Sequence, residues 1–131
     1  MLPYTIAVVE DRSDNRLLLQ AILSDTYHIT EYESGDDVIA GLSSTLPDIV
    51  LLDISLPGID GVGVLERIRA DARLRDLPVI ALTAHTMAGD RERYLAAGFD
   101  AYVRKPIVNE ADLLNTIADC IARASRKEEP A

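Results

Sequence analysis

The chain has one cysteine, Cys120, among 131 residues, and that alone excludes an intramolecular disulfide and a thiol cluster for zinc. Cys120 falls with Leu113, Leu114, Ile117 and Ile121 at helical spacing, so it reads as a small buried hydrophobe rather than a reactive thiol. No uncharged apolar stretch approaches the roughly 18 residues of a membrane span, and the N-terminus lacks a basic segment followed by an apolar one. A cytoplasmic protein without a membrane partner is expected. Positive charge is scarce: 13 Lys and Arg stand against 22 Asp and Glu, for a net charge of −9. With no basic run to offset it, that balance argues against a nucleic-acid partner. Internal repeats and linkers are absent too. What remains is 48% hydrophobic and 27% charged, enough for one folded domain with a substantial core.

The stretch Ile49-Val50-Leu51-Leu52-Asp53 organises the rest. Four large apolar residues in succession read as a strand buried on both faces, as in a parallel sheet covered by helices. The run stops on a carboxylate. Ser55 to Gly61 (SLPGIDG) then form a Pro-Gly loop that cannot extend the strand and leaves Asp53 at its carboxyl end, where ligands bind in open α/β sheets.

Strand and helix patterns alternate along the chain. Thr5 to Val9 is a β-branched run ending on Glu10 and Asp11. Ser13 and Asp14 suit the start of a helix whose apolar positions are Leu17, Leu18, Ala21 and Ile22. His28 to Tyr32, mixed in polarity, suits an edge strand. Ser34 to Asp37 opens a second helix with Val38, Ile39 and Leu42, and Asp60 caps a third with Val62, Leu65 and Ile68 inward and Glu66, Arg67 and Arg69 outward. Val79 to Leu82 is a further buried strand, ending on Thr83-Ala84. A weakly specified helix, about Met87 to Ala96, contains Gly89 and exposes the run Asp90-Arg91-Glu92-Arg93; Gly98 terminates it in a left-handed conformation. Ala101-Tyr102-Val103 is a fifth strand, Lys105-Pro106 follows, and a last helix covers roughly Asn109 to Ala124, with a polar tail from Arg126.

Five β/α units with right-handed crossovers predict a doubly wound, flavodoxin-like α/β fold: a five-stranded parallel sheet of order 2-1-3-4-5 with five helices. That order sets the ends of strands one and three side by side, and with them Glu10, Asp11 and Asp53. Three crowded carboxylates are tolerated mainly where a cation neutralises them or one stays protonated. Oxygen donors without histidine or cysteine favour magnesium. Thr83 offers a hydroxyl at the end of strand four. Lys105, one of two lysines against eleven arginines, places a compact positive charge just past strand five. A carboxylate nucleophile, a magnesium site, a hydroxyl donor and a lysine together form a receptor for a phosphoryl group on Asp53. A cis bond at Pro106 is plausible.

Glu10-Asp11, Asp53 with the Leu56-Pro57-Gly58-x-Asp60-Gly61 loop, Thr83-Ala84 and Lys105-Pro106 together resemble the receiver domains of two-component response regulators, the CheY-like proteins. The resemblance covers about residues 4 to 124. It departs only in Glu10, where Asp is also common, and Leu56, where Met is frequent. It implies a receiver domain over residues 1–124 and a short tail over 125–131. It implies a phosphoacceptor rather than an enzyme acting on a separate substrate, with self-catalysed phosphotransfer and autodephosphorylation. Asp53 would take the phosphoryl group from a phosphohistidine on a histidine kinase or histidine phosphotransfer protein. Asp11 and Asp53 would ligate Mg2+ directly, Glu10 mostly through water, and the backbone carbonyl of Ser55 would complete the protein ligands. Thr83 and Lys105 would bind phosphoryl oxygens. Tyr102 would swing inward as Thr83 moves, remodelling the face of the fourth helix, fifth strand and fifth helix for a downstream protein target. Ser55 and His85 lie where the family tunes dephosphorylation, although a solvent-facing loop role is the simpler reading for His85.

The resemblance suggests a single-domain response regulator, monomeric or weakly dimeric, and Met1 with the short tail agrees. The alternatives are a phosphorelay shuttle or a receiver excised from a hybrid kinase, which the stretch from Thr83 to Asp90 (TAHTMAGD) resembles. More remote are an Asp-nucleophile phosphatase of the haloacid dehalogenase type, whose second acidic residue is replaced here by Ser55, and an FMN binder, whose phosphate Glu10 and Asp11 would repel. A phosphorylation-independent interaction module would not need all five positions filled.

Overall fold

The computed structural model describes residues 4–128 except 57, 85–88, 106 and 108, and side chains as far as residue 124. Five strands, β1 (Thr5–Val9), β2 (His28–Tyr32), β3 (Ile49–Asp53), β4 (Val79–Thr83) and β5 (Ala101–Arg104), alternate with five helices. These are α1 (Ser13–Leu23), α2 (Gly35–Leu42), α3 (Gly61–Ala70), α4 (Asp90–Ala97) and α5 (Glu110–Glu128). All strand pairings are parallel and the order is β2-β1-β3-β4-β5, as the crossover argument requires.

Strand alternation divides the core in two. Val50 and Leu52 join Val38, Val64, Leu65 and Ile68 beneath α2, α3 and α4. Ile49 and Leu51 face the other way, toward Leu19 and Leu23 of α1 and Leu113 and Ile117 of α5. Every residue of β3 and β4 is buried, which explains their continuous apolar runs, whereas β2 is half exposed at the edge.

Several local expectations are corrected. Arg12, not Ser13 or Asp14, is the N-cap residue of α1, and Asp14 pairs with it at 3.1 Å. Of Leu17, Leu18, Ala21 and Ile22 only Ile22 is buried; Leu17 and Leu18 are 66% and 42% exposed, and Leu19 and Leu23 take their place in the core. Three consecutive leucines fit the helical period in more than one register, and packing chooses among them. On α3 the buried valine is Val64, Val62 is half-buried, and Arg69 turns in rather than out. Gly89 is the N-cap of α4, with φ 88°, instead of an interior residue, and Asp90 is buried against Arg93. The last helix continues four residues past the expected Ala124. Ser34 and Asp60 do cap their helices, accepting from the amides of Asp37 and Gly63, and Gly98 ends α4 with φ 117°. Pro57, His85 to Ala88 and Pro106, with the expectations attached to them, lie outside the described residues.

Candidate functional site

Register brings the site together. Val9 pairs with Leu52, so Glu10 and Asp53 are the next residues of adjacent strands. Asp53 in turn pairs with Leu82 and Thr83 with Arg104, which sets Thr83 and Lys105 one step beyond on the next two strands. The Lys105 amide donates to the Thr83 carbonyl at 2.8 Å, holding the chain on course after β5.

The oxygens of Glu10, Asp11 and Asp53 lie within 4.8 Å of one another. Glu10 is fully buried and Asp53 is 3% exposed, while Asp11 is open to solvent. Lys105 enters this acidic group: its Nζ donates to Glu10 Oε2 at 2.7 Å and stands 3.1 Å from Asp53 Oδ2. The Ser55 amide donates to the other Asp53 oxygen, Oδ1, at 3.0 Å. Burial raises the Glu10 carboxyl above its ordinary value and the charge of Asp53 adds to this, against the pull of Lys105. For Lys105, burial works to lower the ammonium's value, but its bonds to Glu10 and Asp53 and their charges outweigh it and the net shift is upward.

Residues not foreseen hold the cluster in place. Asn15 Nδ2 donates to Glu10 Oε1 at 3.4 Å, and Arg16 Nη1 to the Glu10 carbonyl at 2.8 Å. Their spacing, one helical turn after the Glu10-Asp11 pair, was the available signal. Gly61 has no room for a side chain: a Cβ there would meet the Asp53 carbonyl oxygen at 2.6 Å and Ile54 Cα at 2.7 Å. Thr83 is buried, with Oγ1 3.4 Å from the hydroxyl of Tyr94. Tyr102 is half-buried, its ring centroid 6.2 Å from that of Tyr94. Tyr94 could have been suspected as the one aromatic in an otherwise charged and alanine-rich helix.

The donor set fits magnesium. It is all carboxylate oxygen, which hard cations take. Octahedral ligands at about 2.0–2.1 Å put opposite oxygens about 4.2 Å apart, so oxygens already within 4.8 Å need only small side-chain rotations.

A sequence model described as the response regulator receiver domain matches residues 6–118. The chain belongs to that family. It is a receiver domain of two-component signalling, a class that pairs with histidine kinases. Among its relatives is the signal transduction histidine-protein kinase BarA of Shigella flexneri, 37% identical over 110 residues, which are 83% of this chain but 12% of that kinase. The receiver thus spans only a small part of the kinases it matches. The polar-differentiation response regulator DivK of Brucella anthropi is 35% identical over 107 residues, 81% of this chain and 87% of that protein. Among solved structures, the receiver domain of sensor histidine kinase PA1611 from Pseudomonas aeruginosa PAO1, which has a magnesium ion in its active site cleft, superposes with a TM-score of 0.82 at 33% identity. That comparison covers 91% of this chain and 98% of the other. No helix among the described residues is long and apolar enough to cross a membrane.

Proposed function

We propose that this receiver accepts a phosphoryl group on Asp53 from the phosphohistidine of a histidine kinase or histidine phosphotransfer protein, and that the modification switches a protein-binding face. The observation that carries the reading is Lys105 Nζ between two buried carboxylates, 2.7 Å from Glu10 and 3.1 Å from Asp53, at the mouth of the sheet. A structural ion pair would not need a second acid and a third beside it; a phosphoryl receptor needs all of them.

In the transfer, one Asp53 oxygen attacks phosphorus as the phosphorus–nitrogen bond breaks. The imidazole nitrogen departs with the bonding electron pair and takes up a proton. The Ser55 amide, already on Oδ1, fixes the carboxylate so that its other oxygen faces the incoming group. Lys105 exchanges its carboxylate partners for a phosphoryl oxygen, and the Thr83 hydroxyl serves another. Asp11, Asp53 and the Ser55 carbonyl, with Glu10 through water, would hold Mg2+, which supplies positive charge against the oxygens of the transferred group. Hydrolysis of the acyl phosphate, with water attacking phosphorus, returns the carboxylate. Tyr102 and the face of α4, β5 and α5 carry the change to a downstream protein. The same chemistry serves a single-domain regulator, a phosphorelay shuttle or a receiver within a hybrid kinase.

Phosphotransfer profiling against the histidine kinases of the host, with Asp53→Asn as control, tests the reading. Label on the wild type and none on a folded Asp53→Asn variant is expected. Label retained by the variant would place the acceptor elsewhere and end this assignment.

A further inference from the structure

Tyr94, on α4, meets both expected moving parts. Its hydroxyl lies 3.4 Å from Thr83 Oγ1 on β4, and its ring tilts 43° against Tyr102 on β5 and stands edge-on to Phe99, with centroids 6.0 Å apart. The residue is buried, and a buried phenol needs a partner for its hydroxyl. Arg93 supplies a second one: its guanidinium sits 5.2 Å over the Tyr94 ring, with Nη2 3.4 Å from the hydroxyl and 2.9 Å from Asp90. Guanidinium only donates, so the Tyr94 oxygen accepts there, which favours the phenol proton for the Thr83 contact.

On the reading that Asp53 carries the phosphoryl group, we infer that Tyr94 is a positioning residue of the switch: its hydroxyl restrains Thr83 at rest, and capture of Thr83 by the phosphoryl group releases Tyr94 and with it α4. Relative strengths decide the direction. At 3.4 Å the Thr83–Tyr94 bond is long and neutral, whereas a hydroxyl bond to a phosphoryl oxygen is charge-assisted, shorter and about twice as strong. The two bonds use different sides of the Thr83 hydroxyl, which accepts from Tyr94 and donates to the phosphoryl oxygen. Release therefore comes from displacement: as Thr83 is drawn toward the phosphoryl group, a contact already at 3.4 Å passes out of bonding range. The phenol, left with Arg93, follows that exposed side chain toward water and draws its ring off Tyr102. This opens the space into which Tyr102 moves, so α4 and β5 respond as one unit.

Beryllofluoride with magnesium mimics the phosphoryl group and separates the steps. Fluorine NMR of the adduct reports occupancy at Asp53, and amide shifts of Asp90 to Ala97 report α4. In Tyr94→Phe, which keeps the ring, the resting α4 amides are expected to lie part-way toward their wild-type adduct positions. Beryllofluoride binds about threefold more tightly, because a restraint on the competent state is gone. In a Thr83→Val background Tyr94→Phe adds nothing. In the wild type alone, the ring-carbon signal of Tyr94 bearing the hydroxyl shifts on adduct formation. Full adduct occupancy with an unmoved Tyr94 signal, or a Tyr94→Phe variant matching the wild type in both α4 shifts and affinity, overturns the role of Tyr94 alone. Absence of adduct in the wild type overturns the phosphoacceptor reading, and this inference with it.

Discussion

The Cα of Gly61 lies so close to the backbone of Asp53 that a methyl group on it would stand 2.6 Å from the Asp53 carbonyl oxygen. The glycine opening α3 thereby sets how the proposed acceptor is presented. Because the obstacle is backbone, it cannot rotate away. Gly61→Ala is expected to cost about 2 kcal/mol in urea unfolding and to slow labelling by a small phosphodonor about tenfold or more. Gly58 is the contrast: it has φ +73° but open space around a Cβ, so Gly58→Ala costs about 1 kcal/mol of backbone strain and leaves the Asp53 carbonyl where it is. Equal effects at the two positions would refute the role of close approach.

Lys105 neutralises two carboxylates that water barely reaches, so Lys105→Ala should destabilise by about 3 kcal/mol at neutral pH. The pH dependence follows from the shifts. The Glu10 value is raised on folding, so its contribution is complete below the unfolded value of about 4.3 and is lost as pH rises through the folded value. Lys105 is raised as well, so its contribution is complete below about 10.4 and is lost only as pH passes its folded value. Removing the ammonium takes away what holds Glu10 down and widens the first window. The deficit of Lys105→Ala against wild type should therefore shrink as pH falls from about 7.5 toward 4.5, and millimolar magnesium should recover part of it at neutral pH. Unfolding curves at several pH values check this. A deficit independent of pH would mean Glu10 does not depend on Lys105.

Cys120 packs in the layer between the sheet and α5, and burial raises its thiol above the ordinary value despite Arg123 Nη2 at 3.2 Å from Sγ. A disulfide reagent at about pH 8 should react with the native protein about a hundredfold more slowly than with the urea-unfolded chain. Release of the coloured thiolate follows both rates. Comparable rates would show that the helix opens readily.

Legibility in the sequence differed by kind of residue. Ile49 to Asp53 could be read to the residue, because four apolar residues need cover on both faces and a carboxylate ends such a run. From β3 outward, the handedness of crossovers left few sheet orders, and so Glu10, Asp11, Asp53, Thr83 and Lys105 could be placed around one opening. Helix faces were less legible. Leu17, Leu18 and Leu19 satisfy the period in several registers, and only the packed sheet selects Leu19. Gly89 reads as an interior weak point of the helix, and only its φ of 88° makes it the cap. Arg69 was hidden altogether, since a charged residue on an amphipathic helix reads as surface and its partners lie 6 to 31 residues away.

Those partners make Arg69 a many-bonded tie at the end of the sheet opposite Asp53. Nε and Nη2 donate to the Gly98 carbonyl at 3.3 and 2.8 Å, and Nη1 to the carbonyls of Arg75 at 2.9 Å and Leu77 at 2.6 Å. Nη2 also reaches Asp100 at 3.0 Å, whose same oxygen accepts from the Val79 amide. One planar fork therefore joins α3, the turn before β4, the end of α4 and the start of β5. A lysine has its donors on a single nitrogen and cannot span them. Arg69→Lys should cost about 2 kcal/mol and Arg69→Ala about 3 kcal/mol in urea unfolding. In Arg69→Ala, amide exchange should speed up at Phe99 and Asp100, which donate to Tyr94 and Val79 next to the lost fork, and stay unchanged at Glu10, which donates to Tyr32. A five-residue strand is about 17 Å long, so beryllofluoride uptake at the far end should change by less than about twofold. Faster exchange at Glu10 as well would mean that the clamp stabilises the whole sheet rather than one end of it. Because the clamp pins α4 at Gly98, any movement of that helix must pivot about its C-terminal end, and the displacement must be largest at Asp90 and Arg93.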